Sequence, residues 1–306
     1  MPSDTKYDAI YYVKGALSGG ICTSITHAAV TPIDVVKTRN QQQPGRYPGM
    51  VSGLRTINAA EGSRALFTGL GATAVGYFVQ GWFKFGGVEF FKINAAHALG
   101  PQKAWDNRTA IYLGASAAAE FIADLFLCPL EAVRIRSVGN AQFPQSLPAG
   151  FMHILKHEGP LRLYDGLGPL LFKQIPYTMA KFAVQGKAAE VMYSTMDKRP
   201  EDVKGALSVG VSLASGVVAG VVAAVISHPA DTLLTKINKG GAGGAGGTIT
   251  RLARIAKETG MAKLFFTGLG TRCVMVGALT AGQFGIFDSV MSLFGAERFH
   301  FHPPTK

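Results

Sequence analysis

Pro32-Ile33-Asp34-Val35-Val36-Lys37 places a proline, an acid and a base within six residues at the end of a long apolar stretch, and the chain repeats the pattern twice. Pro129-Leu130-Glu131-Ala132-Val133-Arg134 follows 97 residues later (32 to 129), and Pro229-Ala230-Asp231-Thr232-Leu233-Leu234 a further 100 (129 to 229). Two residues past each hexamer stands another base, Arg39, Arg136 and Lys236, which keeps the register where the third hexamer ends on leucine. A second mark comes after each: Glu61-Gly62 leading to Phe67-Thr68-Gly69, Glu158-Gly159 leading to Tyr164-Asp165-Gly166, and a looser version ending Phe266-Thr267-Gly268. Ordered pairs of marks at one period divide the chain into three tandem repeats, 1–102, 103–200 and 201–306.

Each repeat reads as a long apolar segment ending past the proline, a polar loop, a short amphipathic stretch such as 50–60, and a second apolar segment. Six candidate membrane-spanning helices result, at about 10–38, 70–94, 108–138, 168–192, 205–237 and 268–293. Composition agrees: 306 residues with 48% hydrophobic and 16% charged are too poor in charge for two soluble domains. A mean hydropathy of +0.21 is low for purely apolar spans, so these helices carry polar residues on a face that belongs in a water-filled cavity. The net charge of +11 admits nucleic acid, anionic lipid or an anionic substrate as partner. Many of the lysines lie inside apolar segments, which disfavours nucleic acid. Gly15 with Gly19 and Gly216 with Gly220 are spaced for close helix packing in lipid. The Gly240 to Gly247 run lacks a following Gly-Lys-Ser/Thr and reads as a flexible loop. Cys22, Cys128 and Cys273 sit in apolar stretches without metal-ligand spacing and read as core fillers, and no metal or cofactor motif is present. The opening MPSDTKYDAI is neither Arg-rich nor followed by a small-residue cleavage site, so no removable presequence is expected.

The hexamers and the Glu-Gly to aromatic-x-Gly marks resemble the signature of the mitochondrial carrier family, and they span the whole chain. Within that family, Thr26-His27, Ala119-Glu120-Phe121-Ile122-Ala123-Asp124, Gln174-Ile175-Pro176-Tyr177-Thr178-Met179-Ala180-Lys181-Phe182 and Ser227-His228-Pro229-Ala230-Asp231 resemble the phosphate-carrying members. The resemblance implies a monomeric all-α barrel of six transmembrane helices with pseudo-three-fold symmetry in the mitochondrial inner membrane. It further implies movement of inorganic phosphate into the matrix with a proton, or equivalently against hydroxide, and bound cardiolipin.

The residues carry an argument of their own. A proline in a membrane helix frees a backbone carbonyl and bends the helix, so Pro32, Pro129 and Pro229 draw three helix ends towards a common axis. If the acid of one repeat meets the base of the next, Asp34 faces Arg134 and Asp231 faces Lys37. Glu131 is then left alone, because its partner position is Leu234. An unpaired carboxylate in a low-dielectric place is costly and favours its protonated form, unless water or a hydroxyl satisfies it. Five residues before each signature proline stand His27, Asp124 and Ala224, and four further back Thr23, Glu120 and Gly220. Glu120 and Asp124 share a helix face, and Glu131 lies about three turns on. His27, Glu120, Asp124 and Glu131 thus form a column of titratable groups in apolar surroundings, a candidate proton path.

Fifteen residues from each repeat's last marker glycine come Lys84, Lys181 and Gln283; the same face carries Gln80 one turn before Lys84, and Tyr177 and Lys173 one and two turns before Lys181. Ammoniums with amide and phenol donors around one axis suit a small anion with many hydrogen-bond acceptors, of which phosphate is one. The competing reading is that Lys84 and Lys173 snorkel to the interface. Moving one negative charge into a negative compartment costs about 2.3 kcal/mol per 100 mV, which a co-moving proton cancels. Breaking the Asp34–Arg134 and Asp231–Lys37 bridges would open one side. On the other side the family's aromatic-acid-x-x-base pattern survives only as Glu89 with Lys92 and as Phe287-Asp288 without its base, while repeat 2 has Gln185-Gly186. One cross-helix bridge, Asp288–Lys92, is expected there, and with it a weaker gate. Gly69, Gly166 and Gly268 open the even-numbered spans and present free amides suited to anionic lipid phosphates, although Asp165 beside Gly166 counts against the second. Other readings are a carrier of a carboxylate or sulfate, a carrier that also moves metal ions, a membrane enzyme using His27 and Glu120, and a basic protein of the membrane surface. The enzyme reading lacks a nucleophile, metal cluster or cofactor motif.

Overall fold

The structure is a computed structural model that describes residues 7–42, 46, 49–140, 142–203, 205–238, 254, 257, 260, 265, 266, 268–301 and 303. The Gly240 to Gly247 loop, Thr267 and the side chains of Leu234 and Lys236 lie outside the described residues. The helices in chain order are α1 (Ala9–Gln42), α2 (Met50–Glu61), α3 (Leu70–Leu99), α4 (Pro101–Asp106), α5 (Arg108–Gly139), α6 (Leu147–His157), α7 (Leu167–Thr195), α8 (Ala206–Asn238) and α9 (Leu269–Leu293). Six of these are long: at about 1.5 Å per residue, even the 25 residues of α9 exceed a hydrocarbon core of about 30 Å. Each long helix packs on the next in chain order, and α9 returns to α1, which closes a ring. An even number of crossings puts both chain ends on one side, the terminus end; Pro32, Pro129 and Pro229 mark the opposite, proline end.

By length and composition alone, Arg108–Gly139, Ala206–Leu233 and Leu269–Leu293 are apolar enough to cross a membrane. The other three long helices carry several buried charges, Lys84, Glu89 and Lys92 of α3 and Lys181 of α7 among them. Exposed side chains on the six include Ile25, Val75, Phe121, Phe126, Phe172, Val191, Val217 and Val274, whereas Lys84, Glu120, Asp124 and Lys181 are buried. Apolar groups outside and charges inside reverse the arrangement of a water-soluble protein and require lipid around the ring.

Close helix contact uses some of the small residues read from the sequence. A Cβ placed on Gly19 would strike the Gly81 carbonyl and one on Gly81 the Gly19 carbonyl, so α1 and α3 touch backbone to backbone. Gly216 and Gly220 approach Ala281 and Gly277 of α9 in the same way. Gly15 differs from expectation, since a Cβ there meets nothing within 4 Å. The three signature prolines lie inside continuous helices. Each removes a backbone donor, leaving the carbonyls of Ala28, Leu125 and Val225 without their intrahelical partner.

The second sequence mark has a structural cause. Arg39 donates to Glu61 at 2.5 Å, and Arg136 to Glu158 at 2.7 Å, so in the first two repeats the base beyond the hexamer ties the end of its long helix to the amphipathic helix that follows. The hydrogen bond from Arg39 holds the Glu61 carboxyl below the usual glutamate range. Gly69 and Gly268 enter α3 and α9 with left-handed backbones, φ 78° and 81°, conformations that favour glycine. Gly166 sits at φ −86°, open to any residue, and the neighbouring Asp165 pairs with Arg162 at 3.1 Å.

Candidate substrate site

A cavity of about 620 Å³ runs down the axis of the ring, lined by His27, Tyr77, Gln80, Lys84, Lys173, Tyr177 and Gln283 in its depth and by Asp34, Lys37, Glu131, Arg134, Asp231 and Arg272 towards the proline end. It reaches the surface past Arg136, Arg162 and Asp165. Its size is that of a small-molecule pocket. Lys173 lines this cavity.

Three polar clusters surround the depth of the cavity. In the first, Lys84 Nζ lies 2.9 Å from Glu120 Oε2, and both side chains are nearly inaccessible, 5% and 0% exposed. The Gln80 amide nitrogen donates to Glu120 at 3.0 Å and to Asp124 at 3.3 Å. Two buried carboxyls therefore share one amide, and one of them, Glu120, also holds the ammonium. In the second cluster, Lys181 donates to the Gln283 amide oxygen, and its ammonium stands 4.8, 5.4 and 5.1 Å from the ring centres of Phe85, Phe182 and Phe284. Cation–π attraction of this kind holds a buried ammonium that has no carboxylate beside it. In the third, the Tyr177 hydroxyl meets Thr280 Oγ1 at 3.2 Å. His27 faces the cavity stacked on Tyr77, with ring centroids 3.6 Å apart and planes within 4°. Among the described residues, no three His, Cys, Asp or Glu side chains come together as metal ligands.

At the proline end, Arg134 Nη1 is 4.0 Å from Asp34 and Lys37 Nζ is 3.9 Å from Asp231, both at the outer limit of an ion pair. Shorter bonds compete with them. Glu131, expected to be alone, accepts two hydrogen bonds from Arg134 at 2.7 and 2.5 Å. Counting only between repeats missed this pairing, because acid and base of one hexamer are three residues apart and so face each other on the helix. Asp231 is held by Arg272, which also donates to Ser227 at 2.9 Å. Sequence reasoning missed Arg272, although a lone guanidinium in the apolar run of α9 was a signal.

The terminus end is shut. Phe85, Phe182, Phe284 and Phe287 pack together with centroids 4.9 to 5.7 Å apart, edge to face except for the stacked Phe85–Phe287 pair. The expected Asp288–Lys92 bridge is replaced here. Lys92 binds Glu89 of its own helix at 2.5 Å and the Phe299 carbonyl at 2.9 Å, while Asp288 faces Arg298 at 3.8 Å and accepts from Ser212. The gate expected to be weak is instead filled by residues beyond the last helix.

A lipid-facing ring of six helices around a polar axial cavity, open at one end and closed at the other, defines a membrane solute carrier. A family model described as mitochondrial carrier protein matches residues 8–97, 106–195 and 205–298. The chain belongs to the mitochondrial carrier family, and it is a multi-pass carrier of the mitochondrial inner membrane, not an enzyme. It is 48% identical over 291 residues to mitochondrial substrate carrier family protein N of Dictyostelium discoideum, covering 93% of this chain and 95% of that one. It is 42% identical to a probable mitochondrial phosphate carrier protein of Schizosaccharomyces pombe, covering 94% and 93%. Human solute carrier family 25 member 3 is 35% identical, with 94% of this chain and 78% of the relative covered.

Proposed function

We propose that this carrier moves inorganic phosphate into the mitochondrial matrix together with a proton, by alternating access. The observation that carries the reading is the Lys84–Glu120 ion pair with Asp124 beside it. While Glu120 is ionised, it holds the ammonium of Lys84, the one lysine deep in the cavity with a carboxylate partner. Two carboxylates and one ammonium leave one negative charge uncompensated, and a proton taken up on Glu120 removes it. Lys84 Nζ is then free to donate to a phosphate oxygen, so the anion binds well only where the proton has bound.

Lys173, Tyr177, Gln80 and Gln283 supply further donors around the same volume, and Lys181, buried outside the cavity wall, holds the Gln283 amide in place. Charge-assisted hydrogen bonds to a small tetrahedral anion are the strong kind. His27, exposed to the cavity, delivers the proton from the open end towards the carboxyl pair. Neutralising the anion with a proton avoids a cost of about 2.3 kcal/mol per 100 mV for each charge moved into a negative compartment. At the proline end, Asp34–Arg134 and Lys37–Asp231 shorten to close the cavity as the aromatic layer parts. The names of the Schizosaccharomyces pombe relative and of others also support phosphate as the solute.

The test is uptake by purified protein in vesicles, with phosphate, sulfate and a dicarboxylate compared, and with Lys84→Ala and His27→Ala alongside. Phosphate is the preferred solute on this account, and both variants lose net uptake. Full phosphate uptake by both would refute the assignment, and a preference for sulfate or a carboxylate would move the substrate within the same barrel.

A further inference from the structure

Repeat-equivalent positions at the terminus end hold Glu89, Gly186 and Asp288 where acids are due, and Lys92, Ala189 and Met291 where bases are due. Two acids face one base, so the three repeats cannot close this end with ion pairs among themselves. The residues after α9 supply what is missing. Arg298, 7% exposed, lies 3.8 Å from Asp288 and 5.3 Å from the centre of the Phe284 ring. The Phe299 amide donates to Glu89 and to the Tyr11 hydroxyl, both at 3.1 Å, and its carbonyl accepts from Lys92 at 2.9 Å. Phe301 packs on Tyr112 and His300 on Tyr193, at 5.4 and 5.6 Å between centroids. Where repeat 2 lacks its acid, Gly186 lets the Tyr112 ring lie so close that a Cβ would come within 2.6 Å of it. A segment of five residues thus touches α1, α3, α5, α7 and α9 at the centre of the mouth.

We propose that residues 297–301 are a plug that completes the terminus-end gate, with Arg298 as the positioning residue that supplies the base repeat 3 lacks, and that the plug leaves the mouth in every transport cycle. Its contacts with Glu89, Lys92 and Asp288 are with charged groups of the gate itself, so withdrawal of the plug and parting of the helices are one event. The inference rests on alternating access but not on which solute is carried.

Cys22 reads the gate directly, because its buried thiol lies in the same cluster as Phe85, Phe284 and Phe287. In protein carrying Cys128→Ser and Cys273→Ser, a membrane-impermeant maleimide added on the terminus side labels Cys22 slowly. Arg298→Ala, or truncation after Ala296, raises that rate roughly tenfold, as expected for a closed state that loses one charged contact; Arg298→Lys leaves it near the starting value. Equal labelling in all of these variants would overturn the proposal. A second arm needs no destabilised protein: with Tyr193→Cys and His300→Cys in a background without the native cysteines, oxidation locks the plug in place. Uptake of phosphate then stops and returns on reduction; continued uptake by the cross-linked protein would also overturn it. Labelling is independent of phosphate, so a wrong substrate and a wrong gate give different results.

Discussion

Glu120→Gln separates binding from coupling. On the proposed mechanism, phosphate reaches Lys84 only by displacing Glu120 from a 2.9 Å contact between nearly inaccessible groups. A buried ion contact of this kind is taken at about 1.5–3 kcal/mol, the range of interactions with charged groups. The amide of glutamine keeps the shape and an acceptor for Gln80 but no longer competes for the ammonium. Phosphate should therefore bind roughly 10- to 150-fold more tightly near neutral pH, since about 1.4 kcal/mol is a factor of ten. Net uptake should at the same time lose its response to an imposed pH gradient, because the principal proton acceptor is gone, while phosphate/phosphate exchange persists. The assay is radiolabelled phosphate in vesicles, run once as exchange and once as net uptake with acid outside. A variant with native affinity and the full pH-gradient response would refute the idea that Glu120 holds Lys84 for the proton to release.

Further consequences concern the ring and its ties. Gly81→Ala forces a Cβ into the Gly19 carbonyl and the Thr23 side chain, and overpacking of this kind costs about 1–3 kcal/mol or more; thermal unfolding in detergent should show a clear fall in Tm, and an unchanged Tm would contradict the α1/α3 contact. Arg272→Ala leaves Asp231 with only the distant Lys37 at 3.9 Å among the described ion pairs, so stability should fall by on the order of 1–3 kcal/mol, with Asp231→Asn restoring part of it; additive losses in the double variant would dissociate the two residues. Glu61 titrates outside the membrane. Its depressed pKa stabilises the fold above about pH 4.5, the ordinary glutamate value, and that contribution disappears as pH falls through the folded value. The Tm difference between native protein and Glu61→Gln should be constant above that pH and vanish below it; a difference that grows on acidification would reverse the sign.

The helices were legible because a span needs a long apolar run whatever surrounds it, and the three-fold repeat supplied six at once. Expected and observed limits agree closely at 108–138 against Arg108–Gly139. The cavity's depth was legible for a related reason: Gln80, Lys84, Lys173, Tyr177 and Gln283 are polar groups at helical spacing in segments that otherwise face lipid. Pairing was less so. Symmetry between repeats says which acid and base can meet across helices, but not which closer partner each will prefer, and so it missed Arg134 turning to Glu131 and Arg272 to Asp231. Arg298 lay beyond reach for another reason. It follows the last span, stands outside the marks that the three repeats share, and its segment returns to Glu89, 210 residues away in the chain, a contact that no local pattern encodes.

The central claim is that phosphate enters with a proton. Vesicles containing the purified carrier, loaded with a pH-sensitive dye and given external phosphate without any other driving force, report both species at once. The account predicts that the interior acidifies in step with phosphate uptake, and that an acid-outside gradient accelerates that uptake. Phosphate accumulation with no change of internal pH and no response to the gradient would contradict it.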